Sequence, residues 1–119
     1  MRLNHLNLQV PDVQESARFL ETYFDFKLLT SRASKAMAVL RGQGGFELVL
    51  QRSESRQSSY PQGFHIGFIL ENAEQVYATS ERLKSDGVAV RGIRANPRGT
   101  TFYFTMPGGV LTEVSSNRE

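Results

Sequence analysis

The chain has 119 residues, 39% of them hydrophobic and 22% charged, which suits one globular domain and argues against a disordered or membrane-spanning chain. Fourteen Lys and Arg against 12 Asp and Glu leave a net charge of only +2, and the arginines are scattered from Arg2 to Arg118 rather than clustered, so no nucleic-acid partner is expected. There is no cysteine, which excludes disulfides, thiolate metal sites and cysteine nucleophiles, and any metal ligands must be His, Asp or Glu. The N-terminal residues form no signal-like apolar run, and no segment is long enough to span a bilayer, so a cytoplasmic protein without a membrane partner is expected.

In chain order, His5–Val10 alternates polar and apolar residues as a strand does. Pro11-Asp12 leads into an amphipathic helix over Val13–Phe24, with Val13, Ala17, Leu20 and Phe24 at helical spacing. Three strands are then predicted, at Lys27–Ser31, Ala36–Arg41 and Phe46–Gln51, with Gly42, Gly44 and Gly45 turning the chain before the last. Arg52–Gly63, rich in Ser, Gln and Arg, has the composition of a linker. The plan then repeats. Phe64–Leu70 reads as a strand, and Ala73–Ser85 as a helix closed by Asp86-Gly87. Val76, Leu83 and Tyr77 are expected on the core face of that helix. Strands follow at Val88–Ile93, Thr100–Thr105 and Val110–Val114, with Pro107-Gly108-Gly109 between the last two. The sequence thus predicts an α+β domain of two tandem βαβββ modules, residues 1–51 and 64–115, joined by a linker at 52–63.

Ionisable residues fall at matching places in the two modules. In the first strand Leu6, Leu8 and Val10 share one face and His5, Asn7 and Gln9 the other. In the fourth strand Phe46, Leu48 and Leu50 leave Glu47 opposite, and the second module places His65, Gly67 and Glu113 in the same way. Each module therefore opens with a histidine and carries a glutamate in its last strand, both facing away from the helix. His5 and His65 are the only two histidines, and Gly67 leaves room beside the second. Two imidazoles and two carboxylates make an N/O site suited to one divalent ion, with Ni, Co, Zn, Mn and Fe all compatible. Arg41, on the preceding strand, is a competing ion-pair partner for Glu47.

The chain resembles the vicinal-oxygen-chelate superfamily, which includes glyoxalase I, bleomycin-resistance proteins, fosfomycin-modifying thiol transferases and extradiol dioxygenases. The resemblance rests on Asn4-His5-Leu6, Val10-Pro11-Asp12, Ser16-Ala17-Arg18-Phe19, Phe64-His65-Ile66 and Leu83 to Val88. It continues through Phe102-Tyr103-Phe104 and Pro107-Gly108-Gly109 to Glu113. It implies half-barrel sheets around a concave metal and ligand cup, completed in a homodimer with composite sites. It also implies metal ligands at His5, His65 and Glu113, with Glu47 matching the additional glutamate of glyoxalase I. The function it favours is a metal-dependent enzyme of lactoylglutathione-lyase type acting through an enediolate. Glu113 and Glu47 are the candidate bases, and Asn7, Gln9, Thr101 and Tyr103 the contacts for a small-molecule substrate. Non-catalytic ligand binding of the bleomycin-resistance type and thiol transfer of the fosfomycin-resistance type are the alternatives. Two departures stand out. Gln9 occupies a position where bacterial glyoxalase I has an arginine that holds glutathione, and Met106-Pro107-Gly108-Gly109 replaces the usual Asp-Pro-Asp-Gly.

Overall fold

The computed structural model of the chain describes residues 1–29, 34–54 and 60–117. Thr30 and Ser31 of the predicted second strand, and positions 55–59 of the predicted linker, lie outside the described residues. The chain divides into two compact units, one comprising Met1–Ser59 with Pro107–Gly109 and the other Tyr60–Met106 with Val110–Glu119.

The first unit runs β1 (His5–Val10), α1 (Val13–Tyr23), β2 (Lys27–Leu28), β3 (Met37–Arg41) and β4 (Glu47–Arg52). Its sheet has the order β1-β4-β3-β2, so the last strand returns to lie parallel beside the first while the other neighbours are antiparallel. Asp12 caps α1 by accepting a 3.0 Å hydrogen bond from the Glu15 amide, satisfying one of the free donors of the first turn. The period of two then decides the core. Leu8, Val10, Ala38, Leu40, Leu48 and Leu50 are buried on one side of the sheet, with Val13, Ala17 and Leu20 of the helix also buried. Each buried Leu and Val among them contributes roughly 1.5–3 kcal/mol by leaving water.

Pro107–Gly109 docks against this unit. Ser16 donates from its hydroxyl to the Pro107 carbonyl at 3.3 Å. Gly108 has φ +96°, and a Cβ built on it would come within 2.8 Å of the Val10 side chain. That close approach gives the departure at Gly108 a physical reason, since an aspartate in this backbone would be both strained and in collision.

The second unit repeats the plan with β5 (His65–Leu70), α2 (Ala73–Ser85), β6 (Arg94–Asn96), β7 (Gly99–Thr105) and β8 (Leu111–Asn117), in the order β5-β8-β7-β6. Both sheets are open rather than closed barrels. Asn72 caps α2 through a 2.9 Å bond from the Gln75 amide. At the other end Val88 and Gly87 donate to the carbonyls of Leu83 and Lys84, with Gly87 at φ +86°, so the glycine stop acts as predicted. Phe102, Phe104 and Val114 are buried on the sheet and Val76 and Leu83 on the helix.

Three local expectations are corrected. The strand predicted at Val88–Ile93 is reduced to a bridge between Val90 and Phe104, and the regular strand forms later, at Arg94–Asn96. The reason is pairing: Asn96 and Gly99 face each other across a tight turn that sets where the hairpin begins, whatever the residues upstream prefer. Tyr77 is exposed rather than facing the core, because Val76, Ser80 and Leu83 take the buried stripe. Phe64 precedes β5 and stays part-exposed, stacked on Tyr60 with ring centroids 5.1 Å apart. No helix among the described residues is long and apolar enough to cross a membrane.

Candidate functional site

The βαβββ plan makes each module's first and last strands neighbours, and that adjacency brings histidine and glutamate together. In the first unit His5 lies directly opposite Glu47 across the parallel pair β1–β4. In the second unit Glu113 is opposite Gly67, so His65 reaches it diagonally. The offset is two residues, which preserves the shared face. All four side chains point away from the buried side of their sheets, as predicted.

The second unit holds the tighter pair. His65 Nε2 stands 3.6 Å from Glu113 Oε2, with side-chain exposures of 42% and 28%. The other ring nitrogen, Nδ1, is 2.9 Å from the Gly63 carbonyl oxygen. A carbonyl can only accept, so Nδ1 carries the hydrogen, and in the neutral ring Nε2 presents a lone pair toward the carboxylate. Two facing acceptors at 3.6 Å, too far apart to bond each other and both open to solvent, leave a gap that a water or a cation can bridge. Two ligand atoms each about 2.1 Å from one ion at a tetrahedral angle would be roughly 3.4 Å apart, so the pair fits an N/O-bound divalent ion. Glu113 is itself oriented: the Thr101 hydroxyl lies 3.0 Å from Oε1 and 3.2 Å from the Val114 carbonyl oxygen. The carboxylate therefore has one oxygen anchored and the other turned to the imidazole. Tyr103, opposite Glu113 on β7, sets its ring edge-on to His65 with centroids 5.9 Å apart. Desolvation raises the Tyr103 hydroxyl above its ordinary 10.0; the charge of Glu113 and hydrogen bonding to it add to this, and Arg91 opposes it.

The first unit is arranged differently. His5 Nδ1 is 2.7 Å from the Asn4 side-chain oxygen, which again leaves Nε2 as the nitrogen able to bind an ion. Glu47, however, pairs with Arg41 at 3.4 Å, its directly opposite neighbour on β3, with exposures of 37% and 53%. An ion pair this open to water is worth about 0–1 kcal/mol, so it restrains Glu47 only weakly. Asn7 donates to Gln51 at 3.2 Å, and Gln9 shares the face of His5 and Asn7 on β1. Among the described residues no three His, Asp or Glu side chains gather into a group that could hold a metal ion. Of the four predicted ligands, His65 and Glu113 meet side chain to side chain, whereas His5 and Glu47 are register partners on neighbouring strands.

Sequence reasoning did not single out Asn4 or Gly63 as the groups that hold the two rings. Asn4 was open to discovery as a polar side chain beside a strand-leading histidine. Gly63 was not, because it acts through its backbone carbonyl.

A family model described as the Glyoxalase/Bleomycin resistance protein/Dioxygenase superfamily matches residues 2–114. No match is found among curated proteins. Among solved structures, a possible glyoxalase from Bacillus cereus is 41% identical, with a TM-score of 0.86 over 97% of this chain and 98% of that one. Lactoylglutathione lyase from Agrobacterium tumefaciens, 14% identical over 97% and 92% of the two chains with a TM-score of 0.77, shares the fold. So does a variant of the fosfomycin resistance protein FosX from Listeria monocytogenes, complexed with Mn(II) and 1S,2S-dihydroxypropylphosphonic acid, at 21% identity, 98% and 92% coverage and a TM-score of 0.79. With a match across nearly its whole length and a duplicated βαβββ fold, the chain belongs to the glyoxalase/bleomycin resistance protein/dioxygenase superfamily.

Proposed function

We propose that this protein is a divalent-metal-dependent enzyme of lactoylglutathione-lyase type, acting on a small molecule in the cytoplasm as a homodimer with composite sites. His5, Glu47, His65 and Glu113 would hold one ion per site, with Ni, Co, Zn, Mn or Fe as candidates. The observation that carries this reading is the His65–Glu113 pair, a ring nitrogen and a carboxylate oxygen 3.6 Å apart, each held from behind by Gly63 and Thr101. Ligands oriented by such outer partners are characteristic of metal sites. The likeness to the possible glyoxalase of Bacillus cereus, and the Mn(II) complex of FosX, lend further support.

A bound ion would supply Lewis acidity toward the substrate. The protein's own groups divide the remaining work. A glutamate would take a proton from the hydroxyl-bearing carbon beside the substrate carbonyl and return it to the carbonyl carbon, while the hydroxyl proton passes to the former carbonyl oxygen, an isomerisation through an enediolate. Glu47 is the freer of the two glutamates to do this, being held only by the exposed Arg41, whereas Glu113 is pinned by Thr101. Asn7, Gln9 and Tyr103 lie on the open faces of their sheets and would contact the substrate, with Tyr103 kept neutral as a hydrogen-bond donor.

Metal analysis of protein purified without a histidine tag tests the site. Near-stoichiometric metal is expected, reduced at least about tenfold in His65→Ala. An assay with methylglyoxal and a panel of thiols tests the reaction. Absence of metal under every loading condition would replace this reading with ligand sequestration, and turnover of a phosphonate epoxide with a thiol would replace it with thiol transfer.

A further inference from the structure

The second unit has a cavity of about 470 Å³ between the start of α2 and the helix-facing side of its sheet, on the opposite face from Glu113 and Thr101. Two hydroxyls form its floor. Thr100 and Ser116 face each other directly across β7 and β8, are only 8% and 4% exposed, and have no side-chain hydrogen-bond partner among the described residues. Neither oxygen is among the side-chain atoms that are sealed off without a partner, so both hydroxyls, on residues otherwise buried, open into the cavity and are free to bond with what enters it.

The other polar groups of the wall are donors with capacity to spare. Asn72 has its side-chain oxygen occupied by the Gln75 amide, and Asn96 has its oxygen occupied by the Arg98 and Gly99 amides, so each has its NH2 group left to donate. Ala73 and Glu74 line the cavity at the first two positions of a 13-residue helix, where backbone amides have no intrahelical acceptor. The positive end of the helix dipole adds to the same preference. Two hydroxyls, two carboxamides and two backbone amides form a donor set that matches the several acceptor oxygens of a phosphate group. The volume exceeds what a bare phosphate fills and falls within the range of small-molecule sites. One group opposes this chemistry. Glu74 brings a carboxylate of the same sign to the rim.

We propose that the Thr100–Ser116 cavity at the start of α2 is a binding site for the phosphate group of a small phosphorylated molecule, separate from the His65–Glu113 site. The test uses the full-length protein, freed of metal with a chelator, and inorganic phosphate as the probe. Backbone amide shifts of Ala73, Glu74, Thr100 and Ser116 are followed by NMR as phosphate is added. Saturable shifts centred on these residues are expected, with affinity lowered about tenfold in the Thr100→Val/Ser116→Ala variant, the loss expected for two hydrogen bonds. Affinity should rise several-fold in Glu74→Gln, a surface change that tests the site without disturbing the buried floor. The proposal is overturned by the absence of saturable shifts up to ~10 mM phosphate. It is equally overturned by binding that both variants leave unchanged, which would place the anion on surface arginines, or by glycerol producing the same shifts as phosphate.

Discussion

His65 shows how much chemistry one backbone contact can decide. Its Nδ1 is committed to the Gly63 carbonyl, so its remaining nitrogen is the one that faces Glu113, and the Asn4 side chain sets the same tautomer for His5. Tyr103 reports on the same neighbourhood. Desolvation disfavours its phenolate, and the negative charge of Glu113 acts in the same direction. In chelator-treated protein the Tyr103 phenolate, read as the ultraviolet difference between wild type and Tyr103→Phe, should therefore form above pH 10.0. Glu113→Gln should lower that midpoint by removing the charge. The sign for stability follows: a raised folded-state pKa leaves Tyr103's contribution intact below the unfolded value near 10.0, and loses it as pH rises through the folded value. A midpoint unmoved by Glu113→Gln would contradict the arrangement. At this scale the sheet face of His5, Glu47, His65 and Glu113 was legible in the sequence, because alternation alone assigns a side chain to a sheet face. The groups behind the rings were not, since a carbonyl is present at every residue and only the fold says which one a ring meets.

Individual elements followed local patterning wherever a single face had to be buried. β1, α1 and α2 lie within a residue of their predicted bounds, with Asp12, Asn72 and Gly87 marking ends as their chemistry requires. β6 did not, because a short edge strand is positioned by its hairpin partner rather than by its own propensity. Glycines separate the local from the tertiary in the same way. Gly108→Ala should destabilise the protein by about 1–3 kcal/mol in urea unfolding, since it combines a positive φ with a 2.8 Å approach to buried Val10. Gly67→Ala is the matched control. A Cβ there would meet Glu113 Oε2 at 3.8 Å, an ordinary contact, so stability should stay within about 0.5 kcal/mol. Equal effects at the two positions would refute the docking of the Pro107–Gly109 turn. The room that the sequence suggested beside His65 is therefore real but does not demand glycine.

For the whole molecule, the proposed sharing of one ion between modules of two subunits makes a distinctive prediction. His5→Ala/Glu47→Ala and His65→Ala/Glu113→Ala chains should each lose stoichiometric metal. When the two are unfolded together and refolded as a mixture, a heterodimer would unite one intact first module with one intact second module. It would regain one full site of two, measurable as recovered metal in the dimer fraction. Ligand sets confined within single chains would recover nothing on mixing, which would remove the composite arrangement from the proposal.

Strand and helix periods, capping residues and the duplicated plan are properties of neighbours in the chain, so the sequence alone determined the α+β class, the two modules and the face each His and Glu occupies. Adjacency in the sheet is a property of distant segments. Only the tertiary structure decided that β4 lies against β1 and β8 against β5, and that Glu113 meets His65 diagonally while Glu47 sits square to His5. The physical reason is that a side chain's face depends on the local pleat, whereas its partners depend on strand order and register, which the packing of whole elements selects.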